Sequence, residues 1–311
     1  MKFLIVDDLH ASIFDYLKEA GIEWDYQPDI LPAEVKKILP NYDGLIVRSK
    51  IYVDEDMLST SNLKVIARAG AGVDNIDEQA LAKRNIHLIN APEGNCDAVG
   101  EHTVGLILAL LNNFRKAGRE LRTYEWIREG NRGYELSSFT VGVIGYGFMG
   151  KALCKRLIAF GCKVIAYDKA LGIRAEQDGV ELVSLEELKR RTDILSLHIP
   201  LVAENKFWID ADFIKGFAKN IWLVNTSRGK VLKTDDVLPL LESGKIRGLA
   251  LDVWENENPK MFSEAEKTMF DSLLGYDQVM LTPHVAGWTF ESYRKISEIM
   301  GLKIVQWVNK S

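Results

Sequence analysis

Three side chains late in the chain have the types to move a proton beside a bound carboxylate: Arg228 in NTSRGK, Glu257 in WENENP and His284 in LTPHVAG. Arginine presents a planar fork that takes a carboxylate through two parallel hydrogen bonds. Histidine titrates near neutrality, and a carboxylate bonded to it favours the charged ring. A lone histidine after an apolar run is more often a core residue bonded to a carbonyl, so the weight rests on the trio. Each of the three follows a short β-branched run, at 221–225, 246–253 and 278–282. Parallel sheets bind ligands beyond the carboxyl ends of their strands. Neighbouring strands would therefore assemble an acid–base site.

A second constellation names a cofactor. Residues 141–153, VGVIGYGFMGKAL, place Gly145, Gly147 and Gly150 between a strand and a helix. In that context the first glycine allows a tight turn, the second lets backbone approach a pyrophosphate, and the third lets helix pack on strand. The phosphates would rest on the helix N-terminus, beside Tyr146, Phe148 and Met149. The next strand, KVIAYD, ends at Asp168, 23 residues after Gly145 and close to the spacing of the acid that binds the adenosine ribose. A carboxylate there repels the extra phosphate of NADP, so NAD is expected, a preference that the adjacent Lys169 softens. His198 and Pro200, at the end of DILSLHIP (193–200), lie on the same rim.

The elements that must hold these residues are legible in outline. At 311 residues the chain exceeds one ordinary core and suits two domains. Short β-branched runs alternate with helical-period stretches, the pattern of parallel sheets covered on both faces. One series lies at 3–7, 22–26, 44–48, 64–68 and 86–90. Another lies at 141–145, 163–167, 193–200, 221–225, 246–253 and 278–282. Residues 99–122 read as one long helix between them, apolar early and basic late. A final amphipathic helix covers roughly 289–309, and because the second series is complete at 282, it is expected to return to the first domain. The fold expected is α/β: two doubly wound parallel-sheet domains, flavodoxin-like and Rossmann, with a cleft between them. The substrate domain would comprise 1–98 with 286–311, and the NAD domain 99–285.

Composition narrows the partners. Hydrophobic residues at 47% and charged residues at 27% are ordinary for a globular protein. A net charge of −5, with the signs interspersed, argues against nucleic acid or an anionic membrane as partner. MKFLIVDDLH puts two aspartates where a signal peptide would stay apolar, and no apolar run approaches the ~20 residues that cross a bilayer. A cytoplasmic location is expected. Cys96, Cys154 and Cys162 lack metal-ligand spacing and read as reduced thiols, so no metal is expected.

Over nearly its whole length the chain resembles the D-2-hydroxyacid dehydrogenase family, and most its D-3-phosphoglycerate dehydrogenase branch. The stretches that carry this are RAGAGVDNID (68–77), APEGNCDAVGEHTVGLILAL (91–110), VGVIGYGFMGK (141–151), LSLHIP (195–200), NTSRGK (225–230), LALDVWENE (249–257) and LTPHVAGWT (281–289). The resemblance implies that Arg228, Glu257 and His284 are the catalytic trio, with His284 as proton donor and acceptor. It implies that the Ala69, Gly70 and Ala71 backbone N–H groups grip the substrate carboxylate, and that Asn95 is the family's loop asparagine. Thr226 and Asp252 fall where the family touches the nicotinamide half of the cofactor, with Ser227, Ala286 and Gly287 beside them. Arg48, in IVRSKIYVD, is the candidate phosphate ligand. The implied activity is hydride transfer between NAD(H) and a 2-hydroxy or 2-keto acid, 3-phosphoglycerate first, as in serine biosynthesis. The implied assembly is a homodimer in which Trp126, within TYEWIREGNRGYEL (123–136), packs on the partner.

Some positions depart from the pattern. Asn258 separates Glu257 from Pro259, where the family usually has Glu-Pro. Ile51 stands where phosphoglycerate-type members commonly carry threonine, and glyoxylate or hydroxypyruvate reduction is the alternative. The chain ends about where the minimal family fold ends, so neither a C-terminal regulatory domain nor feedback by serine is expected. A reading of another class is an NAD-binding, corepressor-like module, which shares fold and trio; no tail or long insertion for partner recruitment is seen. Formate dehydrogenases pair the histidine with glutamine, which Glu257 argues against.

Overall fold

The computed structural model describes residues 1–310, in two compact units. One comprises Met1–Cys96 with the chain from Trp288 onward; the other is Asp97–Gly287.

The first unit is built on β1 (Lys2–Ile5), β2 (Glu23–Tyr26), β3 (Gly44–Val47), β4 (Val65–Arg68) and β5 (His87–Asn90). They form an all-parallel sheet in the order β2-β1-β3-β4-β5. All four residues of β3, GLIV, are buried, as a strand covered on both faces requires. Thr289 caps the helix Phe290–Val308 by accepting from Ser292 N at 3.0 Å. That helix lays Ile296, Met300 and Ile304 into the core beside Phe3 and Ile5. Burial of side chains of this size is worth about 1.5–3 kcal/mol each, enough to fix the terminal helix on this unit.

The second unit holds β6 (Thr140–Ile144), β7 (Lys163–Tyr167), β8 (Arg174–Gln177), β9 (Val180–Leu182), β10 (Ile194–Leu197), β11 (Ile221–Asn225), β12 (Ile246–Leu251) and β13 (Val279–Leu281). Their order is β13-β12-β11-β10-β6-β7-β9-β8, parallel except for β8 against β9. The chain runs outward from β6 in both directions, so the ends of β6 and β10 border the switch point where such sheets bind ligands.

Two departures from the sequence reading have local causes. The stretch expected as one helix over 99–122 is two, Cys96–Leu111 and Phe114–Arg122. Asn113 breaks it by adopting φ +55°, a left-handed conformation that asparagine tolerates better than most residues. The β8–β9 ribbon was not anticipated, because RAEQ is polar and short. Its turn, Asp178-Gly179, has positive φ at both residues and is a tight-hairpin signal. Among the described residues no helix is long and apolar enough to cross a membrane.

Candidate active site

The glycine loop follows β6. Gly145 has φ +93°, and a Cβ there would fall 2.3 Å from His198 O. A Cβ on Gly150 would fall 2.0 Å from Gly145 O, so the helix Phe148–Ala159 reaches its seat only without a side chain. Gly147 differs: nothing lies within 4 Å of where its Cβ would be. The outer glycines are demanded by packing, while the middle one borders open space at a helix N-terminus, which fits a dinucleotide's pyrophosphate. Asp168, just past β7, accepts from Tyr146 N at 2.8 Å through one oxygen and from Ala170 N and Leu171 N at 3.0 and 3.1 Å through the other. Its carboxylate therefore also ties the loop down. Phe148 is half exposed at the helix start, and Met149 follows it.

His198 ends β10. Its Nε2 lies 2.8 Å from Ser196 Oγ, and its Nδ1 is buried without a partner among the described residues. Desolvation pushes its pKa down to about 4, so the ring is neutral at physiological pH. Pro200 is exposed, and its carbonyl accepts from Asn205 Nδ2 at 2.9 Å.

Neighbouring strands β11, β12 and β13 deliver the trio. After β11, buried Asn225 organises the turn: its Oδ1 accepts from Ser227 N and Oγ at 3.0 and 2.8 Å, and its Nδ2 donates to Arg228 O at 3.0 Å. Arg228 Nη1 donates to Ser227 O at 2.7 Å. Gly229 packs on the loop after β12, where any Cβ would fall 1.9 Å from Trp254 O. Glu257 lies on that loop, and its Oε2 is 2.8 Å from Nδ1 of His284, on the turn after β13. Both side chains are about half exposed. His284 itself has φ +54°, and its N–H donates to Asp252 O at 2.7 Å. Buried Asp252 accepts from Thr282 Oγ1 at 2.5 Å, Val285 N at 2.9 Å and Ala286 N at 2.8 Å. The turn 282–286, which leads into Gly287, is thus wrapped around one carboxylate. Thr226 Oγ1 lies 3.1 Å from Thr103 Oγ1.

In the first unit, the candidate substrate residues also follow strand ends. Ala69 N–H donates to Val47 O at 2.8 Å, because the ladder runs one residue past β4. Of the three N–H groups expected to grip a carboxylate, that of Ala69 is therefore already engaged in the sheet. Asn90 Nδ2 holds Ala71 O at 2.8 Å. Asn95 Oδ1 is buried without a partner among the described residues. Arg48 follows β3, with its guanidinium 4.7 Å over the Trp288 ring and its N–H donating to Asp7 Oδ2 at 2.6 Å.

Sequence reasoning missed Asp8, whose oxygens accept from Tyr26 and Tyr293 hydroxyls at 3.0 and 2.7 Å. It missed the meeting of His102 and Thr282 at 3.1 Å, because that contact joins two distant elements through tertiary packing. It also missed the partner of Lys169, whose Nζ lies 2.5 Å from Glu204.

Residues 104–286 match the family model described as D-isomer specific 2-hydroxyacid dehydrogenase, NAD binding domain. The chain is 33% identical over 307 residues to a D-3-phosphoglycerate dehydrogenase of Archaeoglobus fulgidus, a match that covers 98% of this chain and 57% of that protein. This chain thus spans little more than half the length of that relative. It is 36% identical over 279 residues to a hydroxypyruvate reductase of Thermotoga maritima, which covers 89% of this chain and 87% of the relative. A D-lactate dehydrogenase of Aquifex aeolicus, solved with NAD and lactic acid, superposes with a TM-score of 0.84 at 26% identity, over 100% of this chain and 96% of the other.

Proposed function

The chain belongs to the D-isomer-specific 2-hydroxyacid dehydrogenase family, and from that premise we propose that it interconverts a D-2-hydroxy acid and its 2-keto acid with NAD(H). The observation that carries this is the 2.8 Å bond between Glu257 and His284, one strand away from the Arg228 turn. Glu257 accepts from Nδ1–H, which leaves Nε2 to hold the mobile proton. Arg228 holds the carboxylate and the oxygen that gains or loses that proton. His284 Nε2 gives its proton to the keto oxygen in reduction and takes it back in oxidation. The backbone N–H groups of Gly70 and Ala71, with Asn95, are the further carboxylate-binding groups that the family resemblance implies. The glycine loop, Asp168, His198, Pro200, Thr226, Ser227, Asp252, Ala286 and Gly287 line the cofactor's place. The nicotinamide, when bound, supplies or accepts the hydride.

For the substrate we propose 3-phosphoglycerate and its keto product, with Arg48 as the phosphate ligand. Two features favour a second reading, glyoxylate or hydroxypyruvate. Ile51 is buried and offers no hydroxyl, and Trp288 occupies one face of Arg48. A panel of 2-keto acids followed by NADH absorbance tests the activity. No turnover with any of them would leave the NAD-binding module.

A further inference from the structure

The helix Cys96–Leu111 sends two adjacent side chains to the loops that carry the trio. His102 Nε2 lies 3.1 Å from Thr282 Oγ1 and 3.6 Å from Asp252 Oδ1. The Thr282 hydroxyl gives its own proton to Asp252, so toward His102 it can only accept, which assigns the proton to Nε2. Thr103 repeats the arrangement on the other loop. Its hydroxyl donates to Val99 O at 2.7 Å and so accepts from Thr226 Oγ1 at 3.1 Å.

The link through His102 ends on a strained element. His284 is held at φ +54°, a region that residues other than glycine occupy sparingly and mostly where their surroundings hold them. Its surroundings are the Asp252 carbonyl and carboxylate, and the Asp252 side chain has no exposed area. A buried carboxylate stays in place only while its donors do. Thr282 is one of them, and His102 orients the Thr282 hydroxyl.

We propose that His102 is a positioning residue for His284, acting through Thr282 and Asp252, and that Thr103 does the same for Arg228 through Thr226. The proposal rests on the reading of Arg228, Glu257 and His284 as the catalytic trio. Helix and loops are thereby one braced assembly.

Steady-state kinetics of the full chain with NADH and the fastest keto acid of the panel test this, with NADH affinity read from tryptophan quenching. His102→Leu should lower kcat roughly five- to tenfold, the worth of one hydrogen bond in a buried chain. NADH affinity should stay within about twofold. His102→Gln, whose amide still donates, should recover most of the loss. Thr103→Val should instead raise KM for the keto acid by a similar factor, and Thr103→Ser should reverse it. Unchanged kcat in His102→Leu, or a glutamine variant no better than leucine, overturns the role of His102. An unchanged KM in Thr103→Val overturns that of Thr103. If His102→Leu does not fold, Thr282→Val cuts the same link, and unchanged kcat there overturns the proposal equally. His284→Ala separates the two levels. If it turns over like the parent, the trio reading fails; if it is inactive while His102→Leu is fully active, only the brace fails.

Discussion

Glu257 Oε2 and His284 Nδ1 meet at 2.8 Å across the ends of neighbouring strands β12 and β13. That contact orients the imidazole plane and engages Nδ1, which leaves Nε2 as the nitrogen that the proposed proton transfer would use. Glu257→Gln retains an acceptor but removes the charge beside the ring. It should lower kcat about 10- to 100-fold, and His284→Ala about 10²–10⁴-fold, the usual range for a positioned proton transfer. NADH binding should survive both. A parental kcat in Glu257→Gln would remove the glutamate from the mechanism.

Cofactor choice follows from charges around the end of β7. Both oxygens of Asp168 are held by backbone N–H groups, so its negative charge is fixed at the end of β7, where it would repel the extra phosphate of NADP if the adenosine ribose binds there. Lys169 would attract such a phosphate, yet its ammonium is paired with Glu204 at 2.5 Å. NADH should therefore be preferred over NADPH. Glu204→Lys should narrow the preference several-fold, a modest effect because the pair is exposed. Equal kcat/KM with both cofactors in the parent would sink the argument.

The strands that carry the trio are readable because parallel strands buried on both faces are continuous apolar runs, and the glycine loop because glycine spacing reports backbone geometry directly. IWLVN and KVIAY have the bounds that their apolar runs suggest. The bracing residues were not readable. His102 and Thr282 are 180 positions apart and meet through tertiary packing, which no local period encodes. The break at Asn113 leaves little mark in the sequence beyond two adjacent asparagines, which tolerate left-handed backbone. Ala69 was misread for a similar reason: whether an N–H is free depends on how far the ladder runs.

His198 should make stability depend on pH. Its folded pKa of about 4 lies below the ordinary 6.5, since burial penalises the charged ring. Between those values the unfolded chain binds the proton and the folded chain does not. The contribution is complete above pH 6.5 and is lost as pH falls through 4, on the order of 3 kcal/mol at most. Thermal unfolding between pH 4.5 and 7.5 should show Tm rising with pH, and His198→Gln should flatten part of that slope. An unchanged slope in the variant would assign the dependence to other groups.

The segment after the helix Phe114–Arg122 carries apolar groups that face water in one chain. Tyr124 is 97% exposed and Trp126 80%. A cavity of about 210 Å³ at Trp126 is lined by apolar Ala117, Leu121 and Ile127 and by polar Glu120, Glu125, Arg128 and Asn131. Exposed aromatics gathered at one place mark an interface, and a homodimer through this segment is the expected assembly. Light scattering at micromolar concentration should give twice the chain mass, and Trp126→Ser should weaken it. A monomeric parent would remove the prediction.

Substrate choice turns on what surrounds Arg48. Its face is covered by Trp288 at 4.7 Å, and Trp288 in turn packs edge-on against Tyr293 at 5.6 Å. Tyr293 and Tyr26 donate to Asp8 and hold its carboxyl below the usual range, with the charge of Arg48 adding to this. Arg48 can thus offer its edge to an anion, but a neighbouring carboxylate offsets part of its charge. If Arg48 binds the substrate phosphate, Arg48→Ala should cut kcat/KM for 3-phosphohydroxypyruvate at least tenfold, since each charge-assisted bond is worth about 1.5–3 kcal/mol. Glyoxylate and hydroxypyruvate should be spared. Asp8→Asn should move the preference the other way, toward the phosphorylated acid, by removing the negative charge that opposes an anion beside Arg48. If Arg48→Ala treats 3-phosphohydroxypyruvate as the parent does, Arg48 is not the ligand. If the parent itself prefers glyoxylate or hydroxypyruvate, the phosphoglycerate reading gives way to a reductase of small keto acids, with Arg48 as the clamp that keeps Trp288 in place.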